Sequence, residues 1–284
     1  MSDWIWALII GFVLDLLLGD PSWLYHPVCL IGKYISWMEK KLRRRGGNLR
    51  KSAVFLTAST VLLTMAVVAL IMMLCGLLGR IPLLIAMALL DWMGIAITSM
   101  AKEARGVEKA LGRGVAAGRT QVARIVGRNT QELSEEEIIK ATVETVSENT
   151  TDGVISPLLY AAIGGPILLW GFKAASTLDS MVGYLDEKYR DIGWSSAKLD
   201  DVLNYIPARL TALLMVIASV ILASCMAIGD LLEGSWLPAL TGAVMAYLFS
   251  TFELTVFSTR GDGPMAALFA AGILCLFFRR DDRP

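Results

Sequence analysis

The chain has 284 residues, 55% of them hydrophobic and 18% charged, and its 26 basic and 26 acidic side chains cancel. So apolar a composition, with a positive mean hydropathy, is not that of a soluble domain, and a net charge of zero gives no global field to attract nucleic acid. Four scattered cysteines without a CxxC pair provide neither a disulfide framework nor a zinc site, and a single histidine, His26, excludes a multi-histidine metal centre.

Apolar runs fall at residues 4–18, 53–79, 81–98, 154–175, 208–228, 237–257 and 264–278, and no stretch alternates as a strand would. A spanning helix needs about 20 apolar residues. The run 53–79 meets this without argument, and 208–228 and 237–257 are good candidates. The first run is short and carries Asp15. It lacks a basic leader and a small-residue cleavage site, so it does not read as a cleaved signal. It is expected either to span or to lie tilted with its acid facing protein. The predicted fold is all-α: a polytopic helical membrane protein, one integral-membrane domain over 1–284 with about four to six spans.

The stretch LGDPSWLYHPVCLIG (18–32) follows the first run. Gly19-Asp20-Pro21 marks a turn, and the residue before a proline avoids the α region, which places His26 in an extended context. Two readings stand side by side: a surface turn anchored by Trp23 and Tyr25, or an acid and a histidine at the mouth of a membrane cavity. The next loop, KKLRRRGGNLRK (40–51), holds seven basic residues and is cytoplasmic by the positive-inside rule. If 53–79 leaves and 81–98 returns, the polar helical segment 99–150 is cytoplasmic too. Its Lys102, Arg105, Lys109, Arg113, Arg119, Arg124 and Arg128 agree with that placement. Arg124 and Arg128 are four apart, so they could equally form one basic helix face for an anionic substrate.

Within that segment Ser134 precedes Glu137 at capping-box spacing. Glu144 and Glu148 then share one helix face. The stretch ATVETVSENTTDGVISP (141–157) gathers Glu144, Glu148, Asn149 and Asp152 just before an apolar run. A helix end and an N-cap would account for Asn149 or Asp152, but not for both glutamates as well. Hard oxygen ligands of this kind suit Mg²⁺. The following run, 154–175, contains Pro157 and Gly164-Gly165-Pro166, residues that break helices. A broken, re-entrant segment is tolerated where it is buried in protein. It would return residues 176–207 to the cytoplasmic side.

Residues 175–214 hold Asp179, Asp186, Glu187, Asp191, Asp200 and Asp201 with Lys188, Arg190, Lys198 and Arg209. Acids beside an apolar phase are costly, so they are functional or paired. Adjacent helical residues diverge, so Asp200 and Asp201 are not expected to chelate one ion together; one of them could cap the following helix. Arg209 could pair with an acid or clamp a carboxylate or phosphate. No Walker A, GxGxxG or GxSxG motif is present, so no standard phosphate loop supports nucleotide binding.

The motifs GDP-x(4)-HPV-x-LIG (19–32), VGRNT (126–130), ETVSENTTDGVISPLLY (144–160) and STLDSMVGYLDEKYRDIGWSSAKLDDVLNYIPARLTALL (176–214) closely resemble the adenosylcobinamide-phosphate synthase family. The likeness runs in order from about residue 10 to about residue 225. It implies a multi-pass membrane enzyme of adenosylcobalamin synthesis in the cell membrane of a bacterium or archaeon. Such an enzyme joins adenosylcobyric acid, a corrinoid, to aminopropanol or its O-phosphate through an amide bond, with ATP as co-substrate and Mg²⁺. The partners so implied are these substrates, the lipid bilayer and other membrane enzymes of the same pathway, and no nucleic acid.

Asp20, His26, Arg128, Glu144, Glu148, Asn149, Asp152, Asp179, Tyr184, Asp201, Asn204 and Arg209 match recurrent polar positions of the family. The expected metal ligands are Glu144, Glu148 and Asp152. Arg128 and Arg209, with Asn149, Tyr184 and Asn204, are expected to hold substrate or phosphate. His26, Glu144, Glu148, Asp179 and Asp201 are the candidates for catalysis. The chain departs from the family after Arg209, where a polar motif resembling RD-x(3)-H-x-SPN-x-G-x(2)-EA is usual and this sequence reads TFELTVFSTRGDGPMAALFAAG. If that motif supplies catalytic groups, turnover is expected to be poor. The alternatives are then a non-catalytic membrane relative or a transporter of an anionic ligand, for which Asp15, Asp91 and the Gly-Gly-Pro break would be the intramembrane features.

Overall fold

The computed structural model describes residues 3–21, 23–127, 129–184 and 186–232, with side chains as far as 218. The predicted apolar runs 237–257 and 264–278 lie outside the described residues. The described residues are helical, without strands. The helices are α1 (Asp3–Leu18), α2 (Pro27–Arg45), α3 (Leu49–Leu77), α4 (Arg80–Gly94), α5 (Ile97–Leu111), α6 (Val115–Val122), α7 (Glu135–Thr150), α8 (Ser156–Val182) and α9 (Trp194–Leu232), with a π turn at Thr151–Ile155 between α7 and α8. Among the described residues, four helical stretches are long and apolar enough to cross a membrane: Leu49–Leu77, Arg80–Leu111, Glu135–Val182 and Trp194–Ala218. The chain divides into two compact units, one formed by Met1–Lys102 with Asn149–Ala208, the other containing Glu103–Glu148.

In the first unit, α1 and α4 lie side by side and parallel. Arg80 at the start of α4 holds Asp3 at the start of α1 through two hydrogen bonds of 2.7 and 3.1 Å. At the other end, Asp15 accepts from the backbone N–H groups of Ile97 and Thr98 at 3.1 and 3.2 Å. These are orphan donors of the first turn of α5, so the acid in the first apolar run is a helix cap delivered from another helix. It is fully buried. The reading of this run as a helix with its acid turned toward protein is the one the fold adopts.

Helix α8 is a hairpin. Gly164 and Gly165 leave helical geometry, at φ/ψ of −142°/22° and 65°/−161°, and the positive φ at Gly165 belongs to glycine. Pro166 then opens the returning arm, where a missing N–H costs nothing. The Tyr160 and Phe172 rings, one on each arm, stack at 5.2 Å. In a straight helix, residues 12 apart would be about 18 Å apart along the axis. The returning arm fills the core with Leu169, Trp170, Ala174 and Leu178, and Trp170 donates from Nε1 to the Leu90 carbonyl at 3.0 Å. The break anticipated from Gly-Gly-Pro therefore reverses the chain.

The reversal sends residues 183–193 back to the basic loop between α2 and α3. Arg43 donates to the Lys188 carbonyl at 2.6 Å and Arg50 pairs with Asp191 at 3.2 Å. Asp186 accepts from the Tyr189 N–H at 2.9 Å, closing a turn. Asp186 and Asp191 are thus structural, and the acidic segment lies at the same end as the basic loop.

In the second unit, α5, α6 and α7 bury Val107, Val122, Ile138 and Ala141 against one another. The capping box forms as the spacing predicts: Glu137 N–H donates to Ser134 Oγ at 3.2 Å and Ser134 N–H to Glu137 Oε2 at 2.7 Å.

Candidate active site at the open end of the α8 hairpin

The π turn at Thr151–Ile155 frees a backbone carbonyl from the regular ladder, as such turns do at functional positions. Gly153 uses it to accept from Ala96 N–H at 3.0 Å, in the gap between α4 and α5. This fixes Asp152 beside the α4–α5 junction. Twenty-one residues later, on the returning arm, Lys173 comes back within electrostatic reach of Asp152 and also of Asp20. An unbroken helix would separate positions 152 and 173 by about 31 Å. The hairpin thus brings an acid and a lysine from its two arms to its open end.

Helix α9 adds the next layer. Ser156 donates to Asn204 Oδ1 at 2.8 Å, Asn204 donates in turn to Asp200 Oδ2 at 2.9 Å, and Tyr160 donates to the Leu203 carbonyl at 2.9 Å. Among the described residues, Asp200 Oδ1 is buried and without a hydrogen-bond partner. Asp152, Asp179 and Asp201 all act on Asp200 electrostatically. Asp179 is half-buried at the end of the returning arm, and a Cβ on Gly183 would collide with its carboxylate. That position therefore admits only glycine while Asp179 keeps its place.

His26 sits at the N-terminus of α2, where Nδ1 accepts from Val28 N–H at 3.2 Å. Its ring centroid lies 6.3 Å from that of Trp170. Burial pushes the imidazole below its ordinary pKa of 6.5, against the pull of Asp20. A neutral imidazole accepting at Nδ1 carries its proton on Nε2. The ring also hydrogen-bonds to the backbone of Met93, near the end of α4. Asp20 is anchored by Ser99, whose hydroxyl donates to it at 2.6 Å.

Of the other residues singled out from sequence, Asn204, Asp152 and Asp179 join this site. Asp201 is exposed and paired with Lys198 at 3.1 Å. Asp200 is the inward carboxylate, and neither aspartate caps a helix, because both lie inside α9. Asn149 is exposed at the end of α7, and Tyr184 is exposed with its hydroxyl donating to the Ser180 carbonyl at 2.8 Å. Glu144, half-buried and 3.9 Å from Lys140, and the exposed Glu148 lie on α7 in the second unit. Arg209, exposed on α9, is assigned to that unit as well. Arg128 lies outside the described residues. Among the described residues no three His, Cys, Asp or Glu side chains converge as a metal cage.

Lys173, Ser156 and Tyr160 enter the site without having been singled out from sequence, and Asp200, weighed there only beside Asp201, is the member of that pair that turns inward. For Lys173 the signal was present: it is a lone charge inside an apolar run, the pattern that marks a functional position in a membrane segment.

The sequence profile of a family described as CobD/Cbib protein matches residues 8–275. The "Cobalamin biosynthesis protein CobD" of Pelobacter propionicus is 47% identical over 214 residues, covering 75% of this chain and 66% of that protein. The protein of the same description from Listeria monocytogenes serotype 4b is 48% identical over 215 residues, 75% of this chain and 68% of its own length. That of Clostridium perfringens is 46% identical over 217 residues, 76% and 69% of the two chains. The chain thus spans about two thirds of the length of these relatives. No solved structure matches it.

Proposed function

The chain belongs to the CobD/Cbib protein family, and from that membership and the assembled site we propose that it acts in cobalamin biosynthesis, forming the amide between adenosylcobyric acid and aminopropanol or its O-phosphate at the expense of ATP. The observation that supports this most is the α8 hairpin, which gathers Asp152, Lys173, Asp20 and the Ser156–Asn204–Asp200 chain at one end. A carboxylate must be activated before an amine can displace an oxygen from it. Its oxygen attacks the terminal phosphorus of ATP and ADP leaves. The amine then attacks the acyl carbon, phosphate leaves, and the amine proton passes to a carboxylate of the site, for which Asp179 and Asp200 are the inward candidates.

Mg²⁺ fits the donor set in its common form, one or two carboxylates completed by substrate phosphates. Asp152 and Asp200, the latter with a buried oxygen lacking a protein partner, would hold it. When bound, it neutralises phosphate charge. Arg128 and Arg209 remain the proposed clamps for substrate anions. The transporter reading loses its support at Asp15, which is used to cap α5.

The protein purified in detergent, given adenosylcobyric acid, aminopropanol phosphate, ATP and Mg²⁺, should yield the amide by mass, and none when ATP is omitted. Bound corrinoid with no amide formed would instead favour a non-catalytic relative.

A further inference from the structure

Lys173 is a half-buried cation in the middle of a helix whose neighbours Trp170, Gly171, Phe172, Ala174 and Ala175 are all buried. Such a position is costly for an ammonium, and lysines kept in membrane helices face the interior and serve a ligand or a counter-ion. A counter-ion alone does not account for this one. Among the described residues Lys173 forms no ion pair, although Asp152 and Asp20 both act on it from farther off. The two acids come from different elements, the π turn and the α1–α2 turn, and His26 also senses the lysine. Two separate pieces of chain, the π turn and the α1–α2 connection, therefore flank a cation that neither neutralises in an ion pair. A compact ammonium flanked but not paired is suited to an oxyanion, which would bring the missing contact itself.

We propose that Lys173 is the substrate-anion residue of this site: it binds an oxyanion, either the corrinoid carboxylate to be amidated or a phosphate of ATP or of the aminopropanol phosphate. This rests on the amide-forming reading, and it adds a residue that acts by direct contact with substrate.

The test uses the full-length protein in detergent and the variants Lys173→Met and Lys173→Arg. Affinities for adenosylcobyric acid, ATP and aminopropanol phosphate are measured separately by tryptophan fluorescence, with thermal midpoints recorded alongside. In Lys173→Met, one of the three ligands should bind about tenfold or more weakly, while the others keep their affinities. Lys173→Arg should recover part of the loss, and wild-type binding of that ligand alone should weaken with added salt. Which ligand is affected tells the carboxylate from the phosphate. Unchanged affinity for all three in Lys173→Met overturns the proposal, as does an equal loss for all three that Lys173→Arg does not relieve. Should Lys173→Met fail to fold, Lys173→Arg carries the test: it must fold and bind all three, and a loss of all binding in a folded Lys173→Arg contradicts the proposal. If the wild type binds these ligands but forms no amide, the amide-forming reading fails while Lys173 as an anion-binding residue stands or falls on the affinities.

Discussion

Asp15 and His26 are polar residues that the fold assigns to helix ends. Asp15 satisfies two N–H groups at the start of α5. Asp15→Ala should cost about 1–2 kcal/mol of stability, visible as a lower thermal midpoint in detergent, whereas Asp15→Asn, which keeps an acceptor, should lose much less. Equal midpoints for Asp15→Ala and wild type would remove the cap from the account. His26 is held neutral by burial, with a pKa lowered from 6.5, so the unfolded chain takes up a proton more readily than the folded one. The stability tied to that neutral form is whole above pH 6.5 and is lost as pH falls below it. The wild-type midpoint should therefore drop more steeply on acidification than that of His26→Asn, which keeps a capping oxygen and cannot titrate. Identical slopes would contradict this.

At the scale of elements, the decisive feature is the reversal in α8. A Tyr160→Cys/Phe172→Cys double variant should be joined by a short thiol cross-linker, because the two rings it replaces stack at 5.2 Å. Two thiols that a monofunctional reagent modifies but the cross-linker does not join would restore a straight helix. Gly164-Gly165-Pro166 made this break legible in the sequence, since two adjacent glycines followed by a proline weaken a helix at one point. The Ser134–Glu137 box and the helical class were legible for the same local reasons. The partners across the hairpin were not. Which acid faces Lys173, or that Asp200 turns inward while Asp201 pairs with Lys198, depends on how arms distant in sequence meet. Periodicity along one helix does not carry that information. Nor does it disclose that Asp186 and Asp191 serve the loop, because an acid paired with Arg50 and an acid in a site look alike in sequence.

For the whole molecule, the contacts from Arg43 and Arg50 to residues 188 and 191 place the acidic segment at the same end as the basic loop. Reporter fusions after residues 50 and 195 should therefore both give a cytoplasmic signal, as should one after 130; a periplasmic signal at 195 would contradict the topology. Family membership, a multi-pass helical body and a gathered set of acids around one lysine together support an amide-forming enzyme of cobalamin synthesis. The most direct measurement is amide formation by the purified protein, followed by mass together with ADP release, in wild type and in Asp152→Asn. Wild type should form one product per ATP, and Asp152→Asn should lose about 100-fold or more in rate while still binding the corrinoid. Product formed by Asp152→Asn at the wild-type rate, or by wild type without ATP, would contradict the account.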